Sequence, residues 1–437
     1  MNKLPRLKVY RKEGSILNGR FIVTADGRPF YYLGDTAWEL FHRLKKEEIV
    51  YYFKNRVKKG FTVIQSVILS GFNGLSEPNP YGVLPLINND PTNPNEEYFE
   101  HVDFAVDKAE ELGLYMAILP TWGDKVNKKW GIGPEIFTPE NARIYGEFLG
   151  RRYRNKPIIW VLGGDRPIEN NVHLSIWRSM AEGIREGDKG EHLITYHPMG
   201  RTSSSMWLHD EDWLDFNMLQ SGHHERHFPN YKMIARDYRL YPVKPCIDGE
   251  LRYENIPVGF KTSNGRFDDH DVREAAYWSL FSGAFGFTYG CNEVFQFYDP
   301  LKYRPLFFAR YHWKNALDLP AAEQVRYSKE LLMSRSPLLR KPDYSILVSD
   351  PGVGAEHIVS SRAIDGSYAY IYIPTGISVK IDMNKLSGEV EVYWFDPVSG
   401  SKYRIGRYKN NGKKKFTPPT SGPKEDWILV LDTLDED

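Results

Sequence analysis

Two acidic residues stand where they could share one reaction. Asp165 follows Gly163 and Gly164, directly after the apolar run Ile158–Leu162. Glu250 follows Gly249, directly after the run Lys244–Asp248. Glycine lets a backbone turn sharply and lets a ligand come close, so both acids are presented at a bend rather than packed in an element. Two carboxyls flanking one bond are what glycoside hydrolysis requires. One protonates the leaving oxygen, and the other attacks the anomeric carbon or activates water. The acid of the pair starts protonated, kept so by burial or by the negative charge of its partner. The competing reading is structural, with Asp165 paired to Arg166 and Glu250 to Arg252. Glu254 and Glu293, further along the chain, are rival carboxylates.

Other polar and aromatic residues occupy the same kind of position, at or just after a short apolar run. Trp38 and Trp122 offer flat platforms for the CH face of a sugar, or pack a rim. Asp35 accepts two hydroxyls, or caps the turn that follows it. His197 and His223 bind hydroxyls or hold Glu250 in position, or are satisfied core histidines. Gln65 is expected to point into the mouth of the fold. Arg166 and Arg252 grip an acidic substrate in two-pronged fashion, or bridge neighbouring acids. Tyr289 orients Glu250, or packs the core.

These positions converge only if the chain forms a barrel. From Phe30 to about Leu319 a short apolar run, a polar loop and a helix-like stretch repeat. The strand candidates are Phe30–Gly34, Thr62–Leu69, Tyr115–Pro120, Ile158–Leu162, Leu193–Tyr196, Phe216–Leu219, Lys244–Asp248 and Gly286–Tyr289. Helical spacing of apolar residues predicts helices over Lys45–Lys59, Glu96–Leu112, Thr138–Tyr153, Asn171–Arg185, Tyr231–Leu240, Asp268–Phe281 and Leu301–Leu317. The crossover near Ser203–Leu214 is too short for a clear helix. Strands that alternate with helices form a parallel sheet. Eight such units fit a closed (β/α)8 barrel, whose chemistry lies at the C-terminal ends of the strands. An open doubly wound sheet is the rival, weakened because no glycine-rich phosphate loop follows any strand. Strands four and seven, which precede Asp165 and Glu250, lie on opposite walls of such a ring.

After Pro337 the pattern changes. Ser345–Val348, Ala369–Ile373, Ser378–Asp382, Val390–Phe395 and Trp427–Leu431 are β-like runs between Gly, Pro, Asn and Asp clusters. The expected organisation is α/β: a (β/α)8 TIM barrel over residues 1–336 with an N-terminal hairpin turning at Ala25-Asp26-Gly27, followed by a small all-β sandwich domain over 337–437. The Lys413-Lys414-Lys415 run is read as a solvated hairpin tip.

Composition narrows the partners. Lys+Arg and Asp+Glu both number 57, so the chain lacks the excess positive charge of a protein built for nucleic acid or an anionic membrane. No stretch approaches the roughly 18 apolar residues of a membrane span. With no signal peptide at its start, the chain as written is expected in the cytoplasm, unless a secretory signal has been removed. Two cysteines, Cys246 and Cys291, are too few for a disulfide framework or a cysteine-rich metal site, and both read as buried thiols. The expected partner is a carbohydrate substrate. No cofactor is called for, and oligomeric state is open.

Five segments, GRPFYYLGDTAWELF, KGFTVIQ, ILPTWGDK, KPIIWVLGGDRP and CIDGELRYE, occur in this order. Together they resemble the apiosidase-like (β/α)8 hydrolases of glycoside hydrolase family 140, over most of residues 15–330. The tail resembles the β-sandwich that follows the barrel in that family and carries a collagen-binding label. The resemblance implies Asp165 as general acid/base and Glu250 as nucleophile. It also implies a substrate in which a furanose such as apiose is linked to a pectic galacturonic acid. One departure stands out within the wider clan of barrel glycosidases, which usually place Asn-Glu after strand four where this chain has Gly-Asp. The shorter acid sets its carboxyl about one bond back, which leaves retention or inversion open.

Two other functions compete. A metal-dependent hydrolase on the same barrel would draw Zn²⁺ ligands from His197, His223, His224 and His227 with Asp165 or Asp248, although no His-x-His follows strand one. A non-catalytic module for polysaccharide or a collagen-like protein would not need two facing acids. No serine elbow motif appears, which disfavours an esterase.

Overall fold

Short runs of β-branched, aromatic and other apolar residues, buried on both faces, build the sheet that carries the site. A computed structural model of the chain describes residues 3–434. Its barrel strands are β1 (Tyr32–Thr36), β2 (Val63–Leu69), β3 (Tyr115–Thr121), β4 (Ile158–Gly163), β5 (Ile194–His197), β6 (Asn217–Gln220), β7 (Cys246–Glu250) and β8 (Gly286–Tyr289). Every residue of β1 to β4 is buried, as expected when helices cover the outside and side chains fill the inside. All eight fall within two residues of the expected positions.

The strands run parallel in the order β5-β4-β3-β2-β1-β8-β7-β6. The two-residue strand Thr202–Ser203 adds to β6 in antiparallel fashion. No ladder joins β5 to β6, yet the ring is drawn together there. Asp215 N donates to Ile194 O at 2.9 Å and Thr195 Oγ1 to Phe216 O at 2.6 Å, while Asp215 Oδ2 accepts from Ile194 N at 2.7 Å. The structure is therefore a barrel pinned at one seam by one backbone bond and two side-chain bonds.

The principal outer helices are α1 (Lys46–Lys58), α2 (Glu96–Glu111), α3 (Pro139–Tyr153), α4 (Asn171–Asp188), α5 (Asn230–Tyr238) and α6 (Asp269–Phe281). Thr138 caps α3 by accepting from Asn141 N, with Pro139 in the first turn. Helices α3 and α4 cross at backbone contact, because a Cβ on Gly146 would lie 2.4 Å from Met180 O and one on Gly183 would lie 2.1 Å from Arg143 O. The expected helix over Leu301–Leu317 is not formed. Pro305 lacks the N–H that a helix interior needs, and Phe307 and Phe308 take positive φ. Only a turn at Leu306–Phe308 and a short helix at Trp313–Ala316 remain, and Pro320–Gln324 and Arg326–Met333 follow them. The short fifth crossover holds one turn, Ser205–Leu208. Among the described residues no helix is long and apolar enough to cross a membrane.

At the N-terminal side Leu7–Val9 pairs with Ile22–Thr24, and the Ala25–Gly27 turn brings Val23 against Pro29. The C-terminal strands are β9 (Arg340–Pro342), β10 (Val359–Ala363), β11 (Tyr368–Ile373), β12 (Val379–Asp382), β13 (Val390–Phe395), β14 (Lys402–Tyr408), β15 (Lys413–Phe416) and β16 (Trp427–Thr433). They form an antiparallel sheet, β9-β10-β11-β16-β13-β14, and a β12-β15 pair. Two expectations need correction here. Ser345–Val348 is not a strand: Asp343 accepts from Ser345 N and bends Tyr344–Ile346 into a turn. The three lysines 413–415 are not a hairpin tip, since they lie exposed along β15.

Strand β11 shows how one sheet serves two cores. Tyr368, Tyr370 and Tyr372 join the cluster that continues into the barrel helices, while Ala369, Ile371 and Ile373 point into the sandwich. Against this face α6 lays Tyr277 on Tyr372, with ring centroids 5.0 Å apart, and Phe281 on Tyr370 at 5.9 Å. Arg273 of α6 grips Asp426 with two bonds of 3.0 and 2.7 Å, both side chains being buried. Breaking a buried pair strands the remaining charge, so Asp426→Ala is expected to lower unfolding free energy by about 3 kcal/mol. Equilibrium urea denaturation of the whole chain measures that difference.

Candidate active site

The end of β4 is shaped by its glycines. Gly163 (φ +86°) and Gly164 (φ +116°) precede Asp165, which itself takes φ +60°. A Cβ on Gly163 would sit 2.4 Å from His197 O, and one on Gly164 would sit 2.6 Å from Gly123 N. Backbone bonds Gly164 N to His197 O (3.0 Å) and Gly123 N to Gly164 O (3.1 Å) tie the ends of β3, β4 and β5 together. The Asp165 side chain remains 29% exposed. Trp130 Nε1 donates to its Oδ2 at 3.3 Å, and Arg166 Nη1 lies 3.4 Å from the same oxygen.

Glu250 reaches the cleft through a bulge. The pairing of β7 with β6 shifts between Asp248 and Glu250, where Gly249 leaves no room for a side chain against Met218. Asp248 therefore points away, accepting from Asn230 Nδ2 at 3.1 Å, and Glu250 points in. His223 Nε2 lies 2.8 Å from Glu250 Oε1, and His197 Nε2 lies 3.1 Å from Oε2. Tyr253 N donates to His223 Nδ1 at 3.2 Å, which leaves the ring proton on Nε2 to be donated to Glu250. His197 itself is wedged between Trp38 and Trp122, with ring centroids 5.3 and 6.0 Å away.

The two carboxyls titrate in opposite directions. Burial, reinforced by the negative charge of Glu250, pushes Asp165 up to about 6 against the pull of Arg166 and His197. Burial pushes Glu250 up as well, but His197 and His223 outweigh it and bring the group down to about 2. Around pH 5 one acid thus carries a proton and its neighbour a charge.

Both acids line one open cleft of about 630 Å³. Its walls are rich in aromatic rings, including Trp38, Phe72, Trp122, Trp130, Tyr253, Phe260, Phe295 and Phe307. Among the expected residues Trp38, Trp122, His223, Asp165 and Glu250 face it, and His197 supports Glu250 from behind. Gln65 sits deeper, donating to Gly249 O at 3.1 Å, and so braces the bulge instead of pointing into the mouth.

Three expected substrate contacts lie elsewhere. Asp35 turns outward to Arg56 Nε (2.6 Å) and the Tyr52 hydroxyl of α1, both fully buried. Arg252 binds Glu274 Oε2 at 2.5 Å together with two backbone carbonyls. Tyr289 donates to Glu254 at 2.6 Å inside the wall, which also removes Glu254 as a rival acid. Glu293 is held by Asn255 and by Arg310 N. The reading of the sequence missed Tyr253, Phe260 and Trp130. Trp130 left a signal, an aromatic residue between lysines and glycines in an otherwise polar loop. Among the described residues no three His, Cys, Asp or Glu side chains converge as a set of metal ligands. Cys246 and Cys291 are buried and unpaired.

A barrel with two carboxyls in an aromatic cleft is an arrangement suited to glycoside hydrolysis, and the comparisons point to the same class. A solved structure titled "Glycoside hydrolase" is 32% identical, with 99% of this chain and 98% of that chain covered and a TM-score of 0.90. A glycoside hydrolase family 5 structure from Bacteroides vulgatus ATCC 8482 is 31% identical, covering 99% and 94%, with a TM-score of 0.89. No curated protein shows significant similarity to the chain. Residues 17–338 match the family model described as "Apiosidase-like, catalytic domain", and the chain belongs to that family. Residues 341–432 match the model described as "Putative collagen-binding domain of a collagenase".

The turn at β4 is testable without a substrate. Gly163→Ala places a methyl group against His197 O at a left-handed backbone position, and is expected to destabilise the fold by about 2 kcal/mol. A shift of the denaturation midpoint at unchanged slope measures it.

Proposed function

We propose that the protein hydrolyses a glycosidic bond with Asp165 as general acid/base and Glu250 as nucleophile. The observation that carries this reading is a single aromatic cleft lined by two carboxyls in unlike surroundings, Glu250 beside two histidines and Asp165 beside Trp130 and Arg166. Asp165 gives its proton to the glycosidic oxygen as the bond breaks. Glu250, already ionised, attacks the anomeric carbon and forms a glycosyl-enzyme, and Asp165 then takes a proton from water. His197 and His223 keep Glu250 charged until attack, and positive charge developing on the sugar is met by that carboxylate. Retention follows from this sequence of steps.

The released sugar is proposed to be a furanose such as apiose, in a pectic oligosaccharide. Support comes from the five ordered motifs and the apiosidase-like family to which the catalytic region belongs. Trp38, Trp122 and Tyr253 around Glu250 suit a sugar ring stacked at its CH face. A screen of aryl furanosides, aryl pyranosides and pectin fragments, with the product anomer followed by NMR, tests substrate and stereochemistry together. Release of the inverted anomer would overturn the nucleophile assignment.

Asp165→Asn and Glu250→Gln are each expected to lower kcat by about a thousandfold or more while leaving the fold intact. Either variant with near-normal turnover would end the assignment. The reaction needs protonated Asp165 and ionised Glu250. The rate is therefore expected to fall as pH rises through about 6, and to fall on the acid side only near 2. His223→Ala removes a donor to Glu250, so its acid limb should move to higher pH in the kcat/KM profile.

A further inference from the structure

Trp130 is a large apolar side chain left 58% exposed at the rim of the cleft. It belongs to the loop 126–137, which leaves the end of β3 and returns to α3. The loop is docked by a buried acid: Asp124 Oδ2 accepts from Ile132 N at 3.1 Å and from Gly133 N at 2.8 Å. Ile136 N donates to Lys125 O at 2.9 Å, and Lys128 N to Glu135 Oε1 at 2.7 Å. Gly131 fits without clearance, since a Cβ there would lie 2.3 Å from Asp124 Cβ and 2.4 Å from Arg166 Nη2. The ring is thus fixed in place before any ligand arrives, which spares the ordering that a mobile loop would need on binding.

Its contacts point at the acid. The indole N–H donates to Asp165 Oδ2, and the Arg166 guanidinium lies 4.8 Å from the ring centroid. Arg166 is itself 3% exposed, and its Nε has no hydrogen-bond partner. The groups that face Asp165 with charge are Arg166, Glu250 and His197. Lys129, paired with Glu169, lies 5.8 Å from the Trp130 ring. Trp38, His197, His223 and Tyr253 already surround Glu250, whose partner is the sugar that is attacked. The group that departs must lie beside the acid that protonates it, and the exposed ring beside that acid is Trp130.

We propose that Trp130 forms the leaving-group side of the cleft, its ring stacking on the departing sugar and its indole N–H positioning the Asp165 carboxyl. This rests on Asp165 being the acid. A flat apolar ring flanked by cations suits a saccharide leaving group with an accessible CH face, and gives nothing to a leaving group as small as methanol. Because the N–H donates to the carboxylate form, it also favours the ionised state of Asp165.

Two variants separate these roles. Trp130→Phe keeps a ring and loses the N–H, whereas Trp130→Ala loses both. Each is assayed on the oligosaccharide that the wild-type protein cleaves in the glycoside screen, and on the methyl glycoside of the same released sugar. Trp130→Ala is expected to lower kcat/KM on the oligosaccharide about tenfold more than on the methyl glycoside. Trp130→Phe should keep that preference and move the alkaline limb to higher pH. The positioning role is also read without any substrate. With ¹⁵N-labelled tryptophan, the Trp130 indole resonance, assigned through Trp130→Phe, should titrate near pH 6 in the wild type and cease to do so in Asp165→Asn. Equal losses on both leaving groups, or an indole resonance indifferent to Asp165, would overturn the proposal. Neither result would touch the assignment of Asp165 and Glu250, which stands or falls on their own variants.

Discussion

The grip of two histidines on Glu250 is the constraint on which the site depends. Removing a carboxylate from water costs several kcal/mol unless donors replace the lost solvation. His223 is such a donor and His197 Nε2 lies 3.1 Å from the other oxygen; the two come from the ends of β6 and β5 while Glu250 ends β7. Three neighbouring strand ends must therefore hold their register for one charge to survive burial. The seam between β5 and β6 has no backbone ladder, so the side-chain bonds of Asp215 and Thr195 carry part of that register. His223 is further specified by the Tyr253 N–H at its other nitrogen, which selects the tautomer able to donate. The charge of Glu250 is in this sense a property of the whole seam.

Asp165 is held by a different device. Backbone geometry presents it, with three successive residues at positive φ closing β4 against the ends of β3 and β5. Few donors compensate it, so burial and the charge on Glu250 keep it protonated. The two carboxyls are coupled: the histidines that ionise one acid also maintain the negative charge that protonates the other. A single substitution at His223 would therefore act on both.

Strand order and the placing of the two acids at strand ends on one cleft were legible because apolar runs and glycine-bounded turns are local signals. The direction of each neighbouring side chain was not. Asp35 and Trp38 sit in one motif, yet Asp35, within β1, faces α1, while Trp38, in the turn beyond the strand end, faces the cleft. Arg252 and Tyr289 were attracted by partners far along the chain, Glu274 and Glu254, which no local pattern reveals. The broken helix after β8 and the strands β9, β10, β14 and β15 escaped for related reasons. Pro305 interrupts an otherwise helical spacing, and β14 and the lysine-rich β15 lie largely exposed at sheet margins where apolar alternation is weak.

The sandwich enters the same chain of constraint. Its Asp426 and the His357 carbonyl hold Arg273 and Trp278 of α6. One residue beyond Arg273, Glu274 takes Arg252, two positions past Glu250, and also His227 from the loop after β6. The helix that the sandwich clamps is thus the helix that anchors the strand end carrying Glu250. Bracing requires the β11 and β16 face to be spent on the barrel, and the tyrosines of that face are buried accordingly. Whatever the sandwich binds through its remaining surface, its docked face is part of the scaffold of the catalytic region. Separating the two units would then disturb Glu250 through Arg252 before it disturbed Asp165, whose supports all lie within the barrel.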